Sequence, residues 1–301
     1  PRELKNPGKI WVFGDYLFIV ERGEGIHIID NSNPRTPKFV SFVTVPGAGD
    51  IAVKHNIIYV DSYIDLVAID ISDLKNPREV KRVEGIFPNP LDRENVYFDK
   101  EKGLLVDWIE KDTVIAYTYT DCGDNSPVYI DRYGGYAKDG RFGPVVEKSN
   151  SQPSSVGKTG KGGSMARFTL YQNYLYTVDM SNLQTFDVST PENPKPWAKV
   201  NVGWNIETIF PYGDKLFIGS QTGMFIYDAS IPWNPMYLGQ FQHARGCDPV
   251  VVEGKYAYVT IREGTRCPGN QNQLDILDIS NLMKPVLLKT YPMQQPAGLG
   301  V

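Results

Sequence analysis

Residues 66–77, LVAIDISDLKNP, place Asp70-Ile-Ser72 seven residues ahead of Pro77 on the end of an apolar run. The same spacing recurs at Asp30-Asn-Ser32 to Pro37, Asp187-Val-Ser189 to Pro194, Asp228-Ala-Ser230 to Pro235 and Asp278-Ile-Ser280 to Pro285. A short apolar run precedes each Asp (GIHII, LVAI, LQTF, MFIY, LDIL) and another follows each Pro (KFVSFV, REVKRV, KPWAKV, MYLGQF, VLLKTY). Asp and Ser oxygens accept hydrogen bonds from backbone amides just downstream, while Pro fixes φ and cannot donate to a ladder. The mark therefore reads as a rigid turn between two strands rather than as a set of catalytic carboxylates.

Forty residues separate Asp30 from Asp70, 41 separate Asp187 from Asp228, and 50 separate Asp228 from Asp278, with one interval of 117 between Asp70 and Asp187. A period near 40 with several strands per unit predicts an all-β chain, a β-propeller of four-stranded antiparallel blades around a channel. In the second unit DIAVKH, NIIYVDS, DLVAIDI and REVKRVEG supply the four strands, and the units opening at KIWVFG, ARFTLY, ETIFPY and PVVVEG divide the same way. Phe18, Tyr59, Tyr176 and Phe217 mark the second strand, 11 or 12 residues ahead of the Asp. The long interval is assigned a third unit with strands ENVYFD, LLVDWIE and TVIAYTY, followed by a Gly-, Ser- and Lys-rich insertion at 121–166. This gives six blades in a single domain, residues 1–301, with QPAGLGV at 295–301 either opening a seventh or helping to close the ring.

Charge sets limits on function. With 31 Lys and Arg against 35 Asp and Glu the net charge is −4, and no basic cluster interleaves with aromatics, so a nucleic-acid partner is not expected. No apolar run approaches the roughly 18 residues of a spanning helix, so no transmembrane segment is expected. Pro1 opens the sequence without a charged-then-apolar leader, which reads as a mature or trimmed product. A monomer is expected.

The repeated mark, with LVAID at 66–70, resembles the LVIVD repeat family of bacterial proteins. That resemblance implies a β-propeller, commonly exported or attached at the cell surface as a lipoprotein, and implies no established enzymatic activity.

In such a blade the loop before the first strand and the loop between the second and third emerge on one face, opposite the Asp-x-Ser turns. On that face Asp50, Asn95, Arg167, Glu207 and Asp248 occupy the same place relative to their strands, and Asp61, Asp65, Asp179, Trp204, His243, Arg245 and Arg262 lie in neighbouring loops. The expected ligand-binding set at the channel mouth is Asp50, Arg167, Glu207, His243, Arg245, Asp248 and Arg262. A mixed ring of this kind can hold a small polar ligand or a cation, or its members can simply pair with one another. Cys247 and Cys267 fall in loops on the same face and form a candidate disulfide, leaving Cys122 single.

No cofactor is expected. Gly157–Ser164 lacks the spacing and the following helix of a phosphate loop, and Ser164 lacks the strand-turn-helix setting of a nucleophile elbow. With only His27, His55 and His243 in the chain, a three-His metal centre is excluded unless all converge. Two readings remain: a non-catalytic exported scaffold that presents the 121–166 insertion and the 263–273 loop to a protein or glycan, or a carbohydrate hydrolase or lyase using carboxylates at the mouth.

Overall fold

The structure, a computed structural model, describes residues 2–88, 98–99, 101–105, 109, 161–162, 165–243, 249–263, 271–296 and 298–300. The chain divides into two compact units, residues 1–104 with 156–301 and residues 105–155. Of the second unit only Leu105 and Ile109 are described.

Alternating apolar residues produce strands throughout the first unit, and no helix occurs among the described residues. The first sheet holds β1 (Pro7–Phe13), β2 (Tyr16–Glu21), β3 (Gly25–Asp30) and β4 (Lys38–Thr44), and the second β5 (Ile51–Lys54), β6 (Ile57–Ser62), β7 (Asp65–Asp70) and β8 (Arg78–Val83). Two short strands, β9 (Phe98–Asp99) and β10 (Gly103–Leu104), pair with each other, and β11 (Lys161–Gly162) adds to β1. The third sheet holds β12 (Phe168–Tyr171), β13 (Tyr174–Val178), β14 (Asn182–Asp187) and β15 (Lys195–Asn201). The fourth holds β16 (Ile206–Tyr212), β17 (Lys215–Ser220), β18 (Gly223–Asp228) and β19 (Met236–Gln242), and the fifth β20 (Val250–Glu253), β21 (Tyr256–Ile261), β22 (Gln273–Asp278) and β23 (Val286–Pro292). In each, consecutive strands are antiparallel neighbours.

Five four-stranded sheets are therefore found among the described residues, where the sequence predicts six. The innermost strands β1, β5, β12, β16 and β20 touch in that order, so the second sheet packs directly on the third. Lys54 Nζ reaches the Gln172 carbonyl at 3.1 Å and Asn173 Oδ1 at 2.8 Å, which leaves no place for a blade between them. Of the expected third unit, β9 lies in ENVYFD and β10 at the start of LLVDWIE, and the rest falls outside the described residues. No strand follows Pro292 among the described residues, so the QPAGLGV stretch adds none to the count.

The five marks are turns. Ser32, Ser72, Ser189, Ser230 and Ser280 each donate the backbone N–H to the Asp two residues earlier, at 2.8–2.9 Å. Bonds from the Ser hydroxyl and amide hold the Asp30, Asp70 and Asp278 carboxyls below the usual range, and the Ser230 amide leads the same effect at Asp228. Just before each Asp the third and fourth strands slip register, at Ile28/Ile29, Ala68/Ile69, Gln184/Phe186, Ile226/Tyr227 and Ile276/Leu277. Such a bulge bends and twists the outermost strand.

Successive sheets bury apolar clusters between them. At three of the four joints a polar contact is aimed at the backbone carbonyl four residues after the Asp of the next sheet. Ser41 Oγ donates to the Leu74 carbonyl, Tyr59 Oη to Pro191 at 2.9 Å, and Tyr176 Oη to Pro232 at 2.7 Å. At the fourth joint Gly239 lies so close to the Leu282 carbonyl that a Cβ would stand 2.2 Å from it. Where the second strand carries Phe18 or Phe217 instead of Tyr, the fourth-strand residue Ser41 or Gly239 meets the carbonyl.

Candidate functional site

Of the described members of the expected mouth set, Asp50, Arg167 and Glu207 sit where strands begin, and the Asp50 and Glu207 carboxylates are engaged with the fold. Asp50, just before β5, is buried. Its Oδ1 accepts the Ile51 amide at 2.7 Å, and its Oδ2 accepts the amide of Arg167, just before β12. The carboxylate thus ties the second sheet to the third. Burial pushes its pKa up to about 6, against the opposing charge of Lys9 and the bond from Arg167. Asp61 accepts the Gly49 and Asp50 amides at 2.8 and 2.7 Å and fixes the loop that carries Asp50. Lys9, which the sequence reading passed over, donates to the Met165 carbonyl one loop away.

Glu207, at the start of β16, is partly buried and accepts Gln221 Nε2 at 3.0 Å, and Asn205 Nδ2 donates to Gln221 Oε1 at 3.1 Å. Asn205 holds a left-handed backbone with φ of 53°, and next to it Trp204 is 82% exposed. The Met180 carbonyl accepts the Ile206 amide at 3.0 Å, which brings exposed Met180 beside this segment. His243 and Arg262 are partly buried at strand ends, and the His243 ring lies 6.4 Å from Phe241. Asp65 and Asp179 serve local structure. Asp65 pairs with Arg82 at 3.0 Å and accepts the Gly85 amide, while Asp179 accepts the Ser181 and Asn182 amides at 2.7 Å. Asn95, Arg245, Asp248, Cys122, Cys247 and Cys267 lie outside the described residues, and the proposed disulfide with them. The structure thus brings Asp50 and Arg167 together, through backbone.

Among the described residues no three His, Cys, Asp or Glu side chains stand close enough to share a metal ion. His27 is part of the core. Its Nε2 lies 3.0 Å from Glu21 Oε2, and Phe39 and Phe42 meet its ring edge-on at 5.6 and 4.7 Å. Burial opposes ionisation of Glu21, but amide bonds from Asn6 and Lys5 and the bond from His27 outweigh it, so its pKa lies below the ordinary value.

With this geometry in view, comparison with known proteins is informative. Residues 6–45, 47–84 and 244–292 match the model of the LVIVD repeat. The matched segments cover the first, second and fifth sheets, and the third and fourth share the same Asp-x-Ser turn and bulge. A functionally unknown protein from Desulfotomaculum acetoxidans superposes with a TM-score of 0.56 at 10% identity, over 96% of this chain and 73% of that one. A protein from Lactobacillus plantarum gives 0.57 at 11% identity, over 97% and 72%. The computationally designed Ika8 protein gives 0.53 at 7% identity, over 96% and 62%. These likenesses establish a propeller-like all-β fold and nothing about activity. No curated protein matches the chain.

No described helix is long and apolar enough to cross a membrane.

Proposed function

We propose that this LVIVD-repeat chain is a non-catalytic β-propeller scaffold, exported to the cell surface, that binds a protein or glycan through the face bearing the strand-entry loops. The observation that supports this reading most is the use of Asp50: its carboxylate is buried, held by the amide of Ile51 beside it and by the amide of Arg167 from the adjoining sheet. On the same side Trp204 and Met180 stay exposed, and a flat indole beside the Asn205–Gln221–Glu207 chain of amides and carboxylate suits stacking on a sugar ring or an apolar side chain. The surface location rests on the family resemblance.

The test is binding of the intact chain to a glycan array and to surface extracts, with Trp204→Ala alongside. Binding that drops at least about tenfold in Trp204→Ala with unchanged melting temperature supports the reading. No binding by the native chain to either overturns it.

A second reading keeps one observation in its favour. A carboxyl with a pKa near 6 suits a general acid, so a hydrolase or lyase would use Asp50 with Glu207 or Asp248, and Arg167 or Arg245 to orient substrate. Turnover on a glycan panel near pH 6 that disappears in Asp50→Asn while folding is kept would select this reading instead.

A further inference from the structure

Of the four described tryptophans only Trp11 is buried, and the other three lie on or beside the third and fourth sheets. Two of these, Trp197 and Trp233, flank the joint between those sheets at 56% and 46% exposure. Both sheets have their four strands and lie inside the series, so this rim is not an end of it. The other repeats show that the fold does not need them. Five residues past the turn Asp stand Arg35, Lys75 and Glu192 in the first three turns, against Trp233 in the fourth and Met283 in the fifth. Three residues past it Asn33, Asp73 and Asn281 each accept the amide two residues on, at 2.9–3.2 Å, where the fourth turn has exposed Ile231. Ten residues past it Val40, Val80 and Leu238 pack on apolar clusters, where the third sheet has Trp197.

Tyr176 Oη donates to the Pro232 carbonyl at 2.7 Å, which seats the fourth turn on β13. Two residues back on the same face of β13, Tyr174 meets Trp233 at 6.3 Å between ring centroids with a 45° tilt, an open notch. The register slip in β15 puts Trp197 and Ala198 opposite Thr185, the β14 partner of Tyr176. In the first joint the counterpart of Ala198, Ser41, reaches the carbonyl of Leu74, the counterpart of Pro232. Trp197 therefore borders the turn that carries Trp233. The Trp197 and Trp233 indole N–H groups and the Tyr174 hydroxyl donate to no described group. Burial, and after it the charge of Asp187, push the Tyr174 pKa up, so the hydroxyl stays a donor. Asp187 pairs with Tyr174 in register and accepts the Ser189 amide at 2.8 Å. Where Asp70 has Arg78 at 3.0 Å and Asp228 has Lys215 at 3.2 Å, Asp187 has no ion pair among the described residues. Lys195, the counterpart of Arg78, is exposed and does not reach it, and buried Lys54 is occupied by Gln172, Asn173 and Val188.

We propose that this rim docks a proline-rich segment of a partner protein, held as a polyproline II helix, with a basic side chain of that segment beside Asp187. A polyproline II helix makes no internal hydrogen bonds, so its carbonyls face outward. Its pyrrolidine rings fill notches between aromatic rings, and its carbonyls accept from indole and phenol donors, which is the complement of this rim. A sugar presents hydroxyls that need donors and acceptors in equal measure, whereas the rim offers donors on aromatic rings and one turn carboxylate. An anionic lipid surface would meet the charges of Asp187 and exposed Glu192. The same two carboxylates suit an Arg or Lys next to the prolines. Trp197 stands near the start of β15 and Trp204 beyond its end, so the site is separate from the loop face and stands whether or not that face binds a ligand.

Isothermal titration of the intact chain with a peptide of about ten prolines ending in arginine tests it, the expected Kd being on the order of 10–100 µM. Tryptophan emission should shift to shorter wavelength as Trp197 and Trp233 leave water. Trp233→Ala and Trp197→Ala, each changing a side chain already open to solvent, should weaken binding at least about tenfold with the melting temperature unchanged. Tyr174→Phe keeps the ring and should weaken it about fivefold through the lost donor alone. Asp187→Asn still accepts the Ser189 amide and should abolish the preference for arginine over glutamate at the end of the peptide. Lys75→Ala, at the place of Trp233 in the second turn, should change nothing. No binding of the peptide to the native chain, equal binding of a peptide with alanine in place of proline, or full binding by both Trp variants overturns the proposal. An emission shift produced by oligosaccharides and not by the peptide overturns it in favour of a glycan site.

Discussion

At the scale of the residue, burial and amide bonds decide which carboxylates are available for chemistry. Asp50 holds its proton up to about pH 6 in the folded chain, against an ordinary value of 3.8. Below that ordinary value both states are protonated, between the two values only the folded state is, and above both neither is. Stability therefore falls as pH rises through this window, and ionised Asp50 costs on the order of 3 kcal/mol at neutral pH. Asp50→Asn should flatten the melting temperature between pH 4 and 6 in a thermal scan; an unchanged slope would show that another group titrates there. The turn carboxylates act in the opposite sense. Asp30, Asp70, Asp228 and Asp278 are depressed by their Ser bonds, so their contribution is complete above the ordinary carboxylate range and is lost as pH falls through the folded values. Acid unfolding of the native chain should steepen below that range. Tyr59→Phe and Tyr176→Phe each remove the donor to a carbonyl of the next sheet, and each should cost about 1–2 kcal/mol in urea unfolding, with the ring still fitting as Phe18 and Phe217 do.

The element that repeats is larger than the strand. Turn and bulge come together in each unit, and in the first and fourth the residue after the bulge, Ser41 or Gly239, meets a carbonyl of the neighbouring sheet. Gly239 shows how close that approach is: an added methyl meets the Leu282 carbonyl, a backbone atom that moves only with its turn. Gly239→Ala should destabilise by about 1–3 kcal/mol in equilibrium unfolding through overpacking, and a neutral result would mean that the fifth sheet shifts freely against the fourth. Asp228→Ala removes the Ser230 amide bond and the 3.2 Å contact with Lys215 Nζ, so it should cost about 1 kcal/mol by the same measurement.

Across the whole molecule, repeated sheets whose neighbours touch mainly in sequence order draw their stability from the interfaces between them. Amide exchange should be slowest in the buried second strands β6, β13 and β17 and fastest in β23, whose residues are all exposed. The sequence by itself determined the all-β fold, the strand boundaries near each Asp and the structural role of the Asp-x-Ser turns, because these depend on local alternation, φ and short-range hydrogen bonds. It also aligned Asp50 with Arg167, each two residues before the partner of its second-strand aromatic, whereas in β16 that register falls on Thr208 and Glu207 sits in the bulge before it. Tertiary structure decided the rest. The count of five sheets depended on whether β5 meets β12, a contact across more than one hundred residues that no spacing encodes. Whether Asp50 is a reagent or a tie depended on which amide lies over it, and that amide belongs to Arg167 in the adjoining sheet.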